Sequence, residues 1–204
     1  MSRGRLIAFE GGEGIGKSTQ AERLARHLEA LLTREPGGTD VGERVRALLL
    51  DRDVRDLDAR AEALLMAAAR AHHVATMIRP ALDSGRDVVT DRYSHSSLAY
   101  QGYGRGLDVG QLHDLSSWAT DELWPDLVVL LDVPADEAAA RRRRIGHLPD
   151  RLEAEADDFH HRVVEGFRTM AAAEPDRWLV VDGTGDADEV TERVLKGVDA
   201  RLAS

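Results

Sequence analysis

Leu6-Ile7-Ala8-Phe9-Glu10-Gly11-Gly12-Glu13-Gly14-Ile15-Gly16-Lys17-Ser18-Thr19-Gln20-Ala21-Glu22-Arg23-Leu24-Ala25 is the stretch whose reading decides the fold. Its apolar start, Leu6–Phe9, reads as a short strand buried on both faces. Its end reads as a helix. The turn between them has the spacing G-x-x-x-x-G-K-[ST], that of a phosphate-binding P-loop. Each part has a task. Glycines let consecutive backbone N–H groups face inward and approach phosphate oxygens closely. The helix that begins near Lys17 adds the positive end of its dipole. Lys17 neutralises the outer phosphates, and the Ser18 hydroxyl suits a Mg²⁺ ion. Gly11, Gly12, Glu13, Gly14, Ile15, Gly16, Lys17, Ser18 and Thr19 are therefore the expected cradle for a nucleotide triphosphate.

Composition limits what surrounds this loop. A chain of 204 residues is long enough for one domain with a sizeable core, and residues 1–204 are read as one. Apolar residues make up 43% and charged residues 31%, the balance of an ordinary globular protein. No apolar run is long enough for a membrane span, the start shows no signal-peptide pattern, and there is no cysteine. These features point to the cytoplasm, with no membrane partner. A net charge of −10 argues against nucleic acid as a partner, while leaving room for local anion pockets. Of 27 basic residues, only Lys17 and Lys196 are lysines. A chain that otherwise uses arginine keeps lysine at position 17, where a compact ammonium is needed.

In chain order, the first helix is expected to stop near Leu28, leaving a very short second strand at Leu31–Arg34 before Pro36-Gly37-Gly38. A short helix follows over Gly42–Leu50. A long helix is expected from Ala59 to about Ile78, with Pro80 breaking or kinking it or starting a further helical turn that Gly85 stops. Asp87–Tyr93 reads as a strand that emits charged residues at its C-terminal end, the edge where open α/β sheets bind ligands. A helix from Asp108 to Leu123, a strand over Leu127–Val133 and a helix over Ala135–Arg144 come next. Ile145–Arg151 reads as loop, Glu153–Ala173 as a polar helix, Trp178–Val181 as a last strand and Asp186–Leu202 as a last helix. The alternation implies an α/β fold of the P-loop NTPase type, a parallel five-stranded sheet with helices on both faces and a small lid near 141–153.

A P-loop alone leaves switches, motors and kinases open. An Asn-Lys-x-Asp element for guanine is missing, since Lys196 lies in Leu195-Lys196-Gly197-Val198. The arginines suit a site with two phosphate ligands: Arg34 and Arg92 follow strands, Arg70 lies on the long helix, and Arg141–Arg144 and Arg151 fall late. Phosphoryl transfer needs such cations because charge spreads over the equatorial oxygens.

Asp91-Arg92-Tyr93-Ser94-His95-Ser96-Ser97-Leu98-Ala99-Tyr100-Gln101-Gly102 resembles the D-R-Y-x-x-S-S-x-A-Y-Q-G signature of thymidylate kinases. Phe9-Glu10-Gly11, Thr33-Arg34-Glu35-Pro36-Gly37-Gly38, Asp126–Pro134 and Asp150-Arg151-Leu152-Glu153 are similar to further motifs of that family, in the same order. The resemblance implies ATP-dependent phosphorylation of dTMP, Mg²⁺ as cofactor and a homodimer. By the same resemblance Arg34 and Arg92 hold the acceptor phosphate, and Glu13 and Asp91 lie near the sugar or the metal. Arg70 reads the thymine edge, with Ser97 and Gln101 beside it, and Tyr100 lies against the deoxyribose. Where some members carry an arginine in the P-loop, this chain has Gly14. The lid then supplies that cation through Arg151 with Arg143 or Arg144.

Two departures stand out. Met66 occupies the position where the family stacks an aromatic ring on thymine, which motivates a kinase of altered base choice as an alternative. The segment before Arg34 is several residues short, which motivates a nucleotide-binding regulator without efficient transfer. Asp132 and Asp91 compete for the strand-end metal role, and His72, His73, His160 and His161 carry no metal-ligand spacing.

Overall fold

The chain is described by a computed structural model over residues 3–145 and 149–203, with the side chains at 135 and 142–145 outside the description. Five parallel strands lie in the order β2-β3-β1-β4-β5: β1 (Leu6–Glu10), β2 (Leu31–Arg34), β3 (Val88–Asp91), β4 (Leu127–Asp132) and β5 (Trp178–Asp182). Every residue of β1 is buried, as the central position between β3 and β4 demands. On one face, Ile7, Phe9, Val129 and Leu131 pack against α1 (Lys17–His27) and α9 (Ala187–Leu202). Val190, Val194 and Val198 supply the inner stripe of α9, spaced as the sequence indicated. On the other face, Val128 and Leu130 meet Phe159, Val163 and Phe167 of α8 (Asp157–Ala173). The chain order reverses on either side of β1, so the crevice for ligand opens at its C-terminal end.

The expected strands all form, and β2 is indeed only four residues long. The abbreviated segment before it is a tight helix stop. Glu29 takes a left-handed conformation (φ 53°), and the Ala30 N–H reaches back to Ala25 O at 2.9 Å. β2 then runs in register with β3, placing Arg34 opposite Asp91, so the short connection leaves Arg34 at the sheet edge where the motif needs it.

Other boundaries differ. The second helix, α2 (Asp40–Leu50), starts earlier than expected because Thr39 caps it, accepting from Gly42 N–H at 3.0 Å. The long helix α3 (Ala59–His73) does not break at Pro80. It widens into a π-helical turn, Val74–Ile78, and continues as α4 (Arg79–Asp83), Arg79 N–H bonding to Val74 O. Pro80 supplies no N–H and crowds the preceding turn, and the widened turn accommodates it. Ser94–Gly104, for which no element was foreseen, forms α5 (Ser94–Ser97) and a second π-helical turn, Leu98–Gly104. The next helix, α6 (Val109–Thr120), ends at Asp121, whose left-handed backbone stops it three residues early. α7 (Ala135–Ile145) follows β4, and α8 begins at Asp157 rather than Glu153 because 151–155 forms turns.

Glu29→Gly removes the side chain from a left-handed position and is expected to stabilise the protein by about 0.5–1 kcal/mol in urea unfolding. Unchanged or lower stability contradicts the cap described here.

Candidate functional site

The site grows from the end of β1. Gly11 has φ 135°, and a Cβ there would fall 2.8 Å from Leu131 O and 2.7 Å from Ile15 Cδ1, so glycine alone fits where the loop leaves the sheet. Gly16, at φ 94°, forms the N-terminus of α1 without any side-chain cap, and the first turn holds no acidic residue. The N–H groups there are left for an anion. Lys17 is buried and donates to Gly12 O. Burial, and then the nearby Arg92, push its pKa down to about 8. The Ser18 hydroxyl donates to Asp91 Oδ2 at 2.5 Å.

Glu10, the last residue of β1, is fully buried. Its Oε1 accepts from Tyr93 N–H (3.0 Å) and Ser96 N–H (3.1 Å), and its Oε2 accepts from the Ser96 hydroxyl (2.5 Å). Burial raises its pKa to about 7, against the pull of Arg92. These bonds fix the turn after β3, where Arg92 sits at φ 71°, a left-handed conformation that a side-chain-bearing residue adopts only when its surroundings impose it. Arg92 is then held at both ends of its guanidinium. Nη1 donates to Gly11 O and to the Ser96 hydroxyl, both at 3.0 Å. Nη2 donates to Glu13 Oε1 (2.8 Å) and to the Tyr100 hydroxyl (2.9 Å), and the group lies 4.9 Å from the centre of the Tyr100 ring. Tyr100 also donates to Glu13 at 2.6 Å. Burial opposes charge on Glu13, but Arg92 and Lys17 outweigh it and hold its pKa at about 2.

Two clefts meet at this cluster. One, of about 390 Å³, runs along the P-loop past Lys17, Ser18, Thr19, Arg34 and Asp91. The second is walled by Pro36, Leu50, Met66, Arg70, Ser97, Tyr100, Gln101 and Leu152. Glu13, Glu35, Arg46, Arg92 and Glu153 line both, and so form the seam. In the second cleft, buried Arg70 donates from Nε to Glu35 Oε2 (2.6 Å) and from Nη2 to the Ser97 hydroxyl (3.0 Å), while its Nη1 has no partner among the described residues. Glu35 also accepts from His73, which reaches Thr33 with its other nitrogen at 2.7 Å. Gln101 Oε1 is a second buried polar atom without a partner. A pocket with one unused donor and one unused acceptor is built for a ligand that offers the complement.

The structure thus brings together Lys17, Arg92, Glu13, Ser18 and Asp91, and, across the seam, Arg70, Ser97, Tyr100, Gln101 and Met66. Arg34 reaches the P-loop cleft but is half exposed and paired with Glu43 at 3.1 Å. Arg151 lies elsewhere: it donates to Leu49 O (2.8 Å) and Glu62 Oε2 (2.6 Å), not to the P-loop. Arg143 and Arg144 have side chains outside the described residues. Arg141, the one arginine of the basic run whose side chain is described, approaches the P-loop, with Nη1 3.4 Å from Ile15 O and Nη2 2.5 Å from Glu137. Asp132 pairs with Arg168 at 2.9 Å, whereas Asp91 faces Ser18 and keeps Oδ1 buried without a partner. Sequence reading overlooked Arg46, Glu35 and Glu62. Glu35 stood beside Arg34 in a quoted motif; Arg46 was one arginine of 25, with nothing in its spacing to mark it.

Comparison with known proteins agrees with this geometry. A family model described as thymidylate kinase matches residues 9–194. The thymidylate kinase of Leifsonia xyli subsp. xyli is 49% identical over 204 residues, covering 98% of this chain and 96% of that protein. The thymidylate kinase of Clavibacter sepedonicus is 53% identical over 186 residues, covering 88% and 87%. The crystal structure of thymidylate kinase from Ehrlichia chaffeensis superposes with a TM-score of 0.79 at 32% identity, covering 96% of this chain and 99% of that one.

The depressed Lys17 and raised Glu10 give a pH signature. A bound triphosphate favours the Lys17 ammonium and disfavours the Glu10 carboxylate, so it raises both pKa values and binding draws protons in. Calorimetry in buffers of different ionisation enthalpy, at pH 8 to 8.5, is expected to show net proton uptake on ATP binding. Net release there contradicts the buried Lys17 and Glu10 environments.

Proposed function

This chain belongs to the thymidylate kinase family, and from that premise we propose that its two joined clefts divide the reaction, with ATP on the P-loop, dTMP between Met66 and Arg70, and transfer at the seam. The activity is ATP-dependent phosphorylation of dTMP to dTDP. A phosphate oxygen of dTMP forms a bond to the γ-phosphorus of ATP, the bond from that phosphorus to the β-bridging oxygen breaks, and ADP leaves with the electron pair. The nucleophile is already an anion, so no general base is required. What remains is alignment and charge neutralisation.

Lys17 and the first turn of α1 hold the donor phosphates, while Arg92, with Arg34 and Arg46, receives the acceptor phosphate. The observation that carries this is the set of residues common to both clefts, with Arg92 at its centre. Its guanidinium is fixed by Glu13, Tyr100 and the P-loop carbonyl of Gly11, so it is ordered before a substrate arrives. For Mg²⁺, the Ser18 hydroxyl and the unpartnered Asp91 Oδ1 are a fitting hard-oxygen set. Among the described residues no cluster of three acidic or histidine ligands exists, in keeping with an ion held largely by nucleotide phosphates and water. When bound, it would neutralise charge on the transferring phosphate.

Base recognition follows from the two unpartnered atoms. Arg70 Nη1 donates to a carbonyl such as thymine O4, and Gln101 Oε1 accepts from a donor such as thymine N3–H. Cytosine presents the reverse on both counts. Tyr100, anchored to Glu13, stands where a ribose 2′-hydroxyl would crowd it. Met66 lies on the pocket wall with Leu152 and Leu50, backed by buried Leu49, and its thioether packs on the ring in place of an aromatic face. The regulator reading is not favoured, nor is one of different base choice.

Among the described side chains of the lid region, Arg141 comes within 3.4 Å of the P-loop carbonyl of Ile15 and is the lid cation we assign in a single kinase domain. No helix among the described residues is long and apolar enough to cross a membrane, and we place the enzyme in the cytoplasm with its substrates. We also propose a homodimer formed through α3 and α6, which present Leu64 (57% exposed) and Trp118 (82% exposed).

A coupled assay across dTMP, dUMP, AMP, GMP and CMP is expected to show dTMP as the preferred acceptor; preference for AMP overturns this reading. Arg92→Ala should lower kcat/KM for dTMP by about 10²–10³-fold, with the ATP dissociation constant changed only a few-fold. Met66→Phe should lower the KM for dTMP by about two- to tenfold through ring stacking. A KM that rises places the thymine ring elsewhere.

A further inference from the structure

Glu62, on α3, touches none of the phosphate-binding residues, yet its carboxylate is fully buried and fully used. Its Oε1 accepts from Gln101 Nε2 at 2.9 Å and from Arg105 Nε at 3.2 Å. Its Oε2 accepts from Arg105 Nη2 at 3.1 Å and from Arg151 Nη2 at 2.6 Å. Burial works against its charge, but hydrogen bonds from Arg105, Gln101 and Arg151 prevail and hold its pKa below the usual carboxylate range. Two guanidinium groups against one carboxylate leave it an acceptor and nothing else.

An amide has a donating end and an accepting end, and its neighbours decide which way it faces. Opposite an acceptor-only group, Gln101 must turn its NH2 towards Glu62. Its Oε1 then faces away from Glu62. That oxygen is buried without a partner among the described residues, on a side chain that lines the acceptor pocket.

We propose that Glu62 is a specificity-determining positioning residue: by fixing the Gln101 amide it makes position 101 a hydrogen-bond acceptor, and so selects a pyrimidine whose N3 carries hydrogen. Glu62 itself meets no substrate. Its grip is reinforced from far along the chain, because Arg151 reaches Glu62 while its Nε bonds to Leu49 O at 2.8 Å. Arg105 adds a second tie, pairing with Glu155 at 2.6 Å. The proposal rests on thymine lying against Arg70 and Gln101, as argued above.

The test compares dTMP with 5-methyl-dCMP, which keeps the methyl group, sugar and phosphate and reverses the hydrogen-bonding sense at N3 and at the neighbouring exocyclic position. The readout is the ratio of kcat/KM for the two acceptors in wild type, Glu62→Gln, Gln101→Met and the double variant. Glu62→Gln can offer Gln101 either end of an amide. It is expected to lower the ratio at least about fivefold, through the acceptor KM, with the KM for ATP within twofold of wild type. Gln101→Met is expected to lower the ratio as well, and adding Glu62→Gln to it should lower it no further. A ratio lowered by Gln101→Met and untouched by Glu62→Gln overturns the role of Glu62 alone. A ratio untouched by Gln101→Met overturns the placement of thymine too. Equal loss with both acceptors marks Glu62 as structural and overturns the proposal. Should Glu62→Gln fail to fold, the wild-type protein still decides. The Gln101 side-chain N–H signals should stay protected from exchange in the free and dTMP-bound forms alike, and loss of protection on binding overturns the proposal.

Discussion

The site depends on one buried carboxylate at the end of the central strand. Glu10 closes β1, and the chain passes directly from it into the P-loop. With three hydrogen bonds it also secures the turn that follows β3 and carries Arg92. The P-loop and Arg92, the proposed donor cradle and acceptor cation, are thereby tied to a single rigid element, and the distance between them is set by the sheet rather than by loops. Transfer between two bound phosphates tolerates little misplacement, so this mode of attachment matters more than the strength of any one contact. Burying the carboxylate is unfavourable, and its hydrogen bonds and the neighbouring Arg92 and Lys17 offset only part of that cost, which leaves its pKa raised to about 7.

The same construction recurs in and around the two clefts. Arg92 is set by Glu13, Arg70 by Glu35, Arg34 by Glu43, and Arg105 and Arg151 by Glu62. A planar guanidinium held by a carboxylate has its remaining N–H groups aimed in a fixed direction, which a freely rotating ammonium does not. A protein of net charge −10 can therefore present a cationic path for two nucleotides, because its acidic residues orient the arginines instead of competing with substrate at random. Lys17 is the exception and serves where a compact charge must pass inside a loop of backbone amides.

The sheet was legible because its strands are continuous apolar runs bounded by glycine, proline or charge, and β1 with the P-loop has a spacing that few other structures need. Leu127–Leu131 and Val190–Val198 announced their burial in the same way. Ser94–Gly104 did not, since its mostly small or polar residues follow no helical period. Its buried polar groups are satisfied by Arg92 nearby and by Glu10 and Glu62, two partners distant in sequence. The continuous path from Ala59 to Asp83 was unreadable for another reason: whether Pro80 breaks a helix or widens its preceding turn depends on tertiary packing. Within the site, the P-loop and the Asp91–Gly102 signature pointed to most of the residues the clefts contain. The pairing of each arginine with its carboxylate was not readable, because 25 arginines and 37 acidic residues allow too many combinations. Arg151 illustrates this, for its partner Glu62 lies far away in the chain, on a helix where the sequence marked Met66 and Arg70 but not Glu62.

The central claim is that one strand end aligns the two substrates. A crystal structure with dTMP and a non-hydrolysable ATP analogue tests it most directly. The account predicts the dTMP phosphate at Arg92, the thymine O4 at Arg70 Nη1 and its N3 at Gln101 Oε1, with the Glu10 hydrogen bonds to Tyr93 and Ser96 intact. A dTMP phosphate away from Arg92, or a turn after β3 released from Glu10 when both nucleotides are bound, would contradict it.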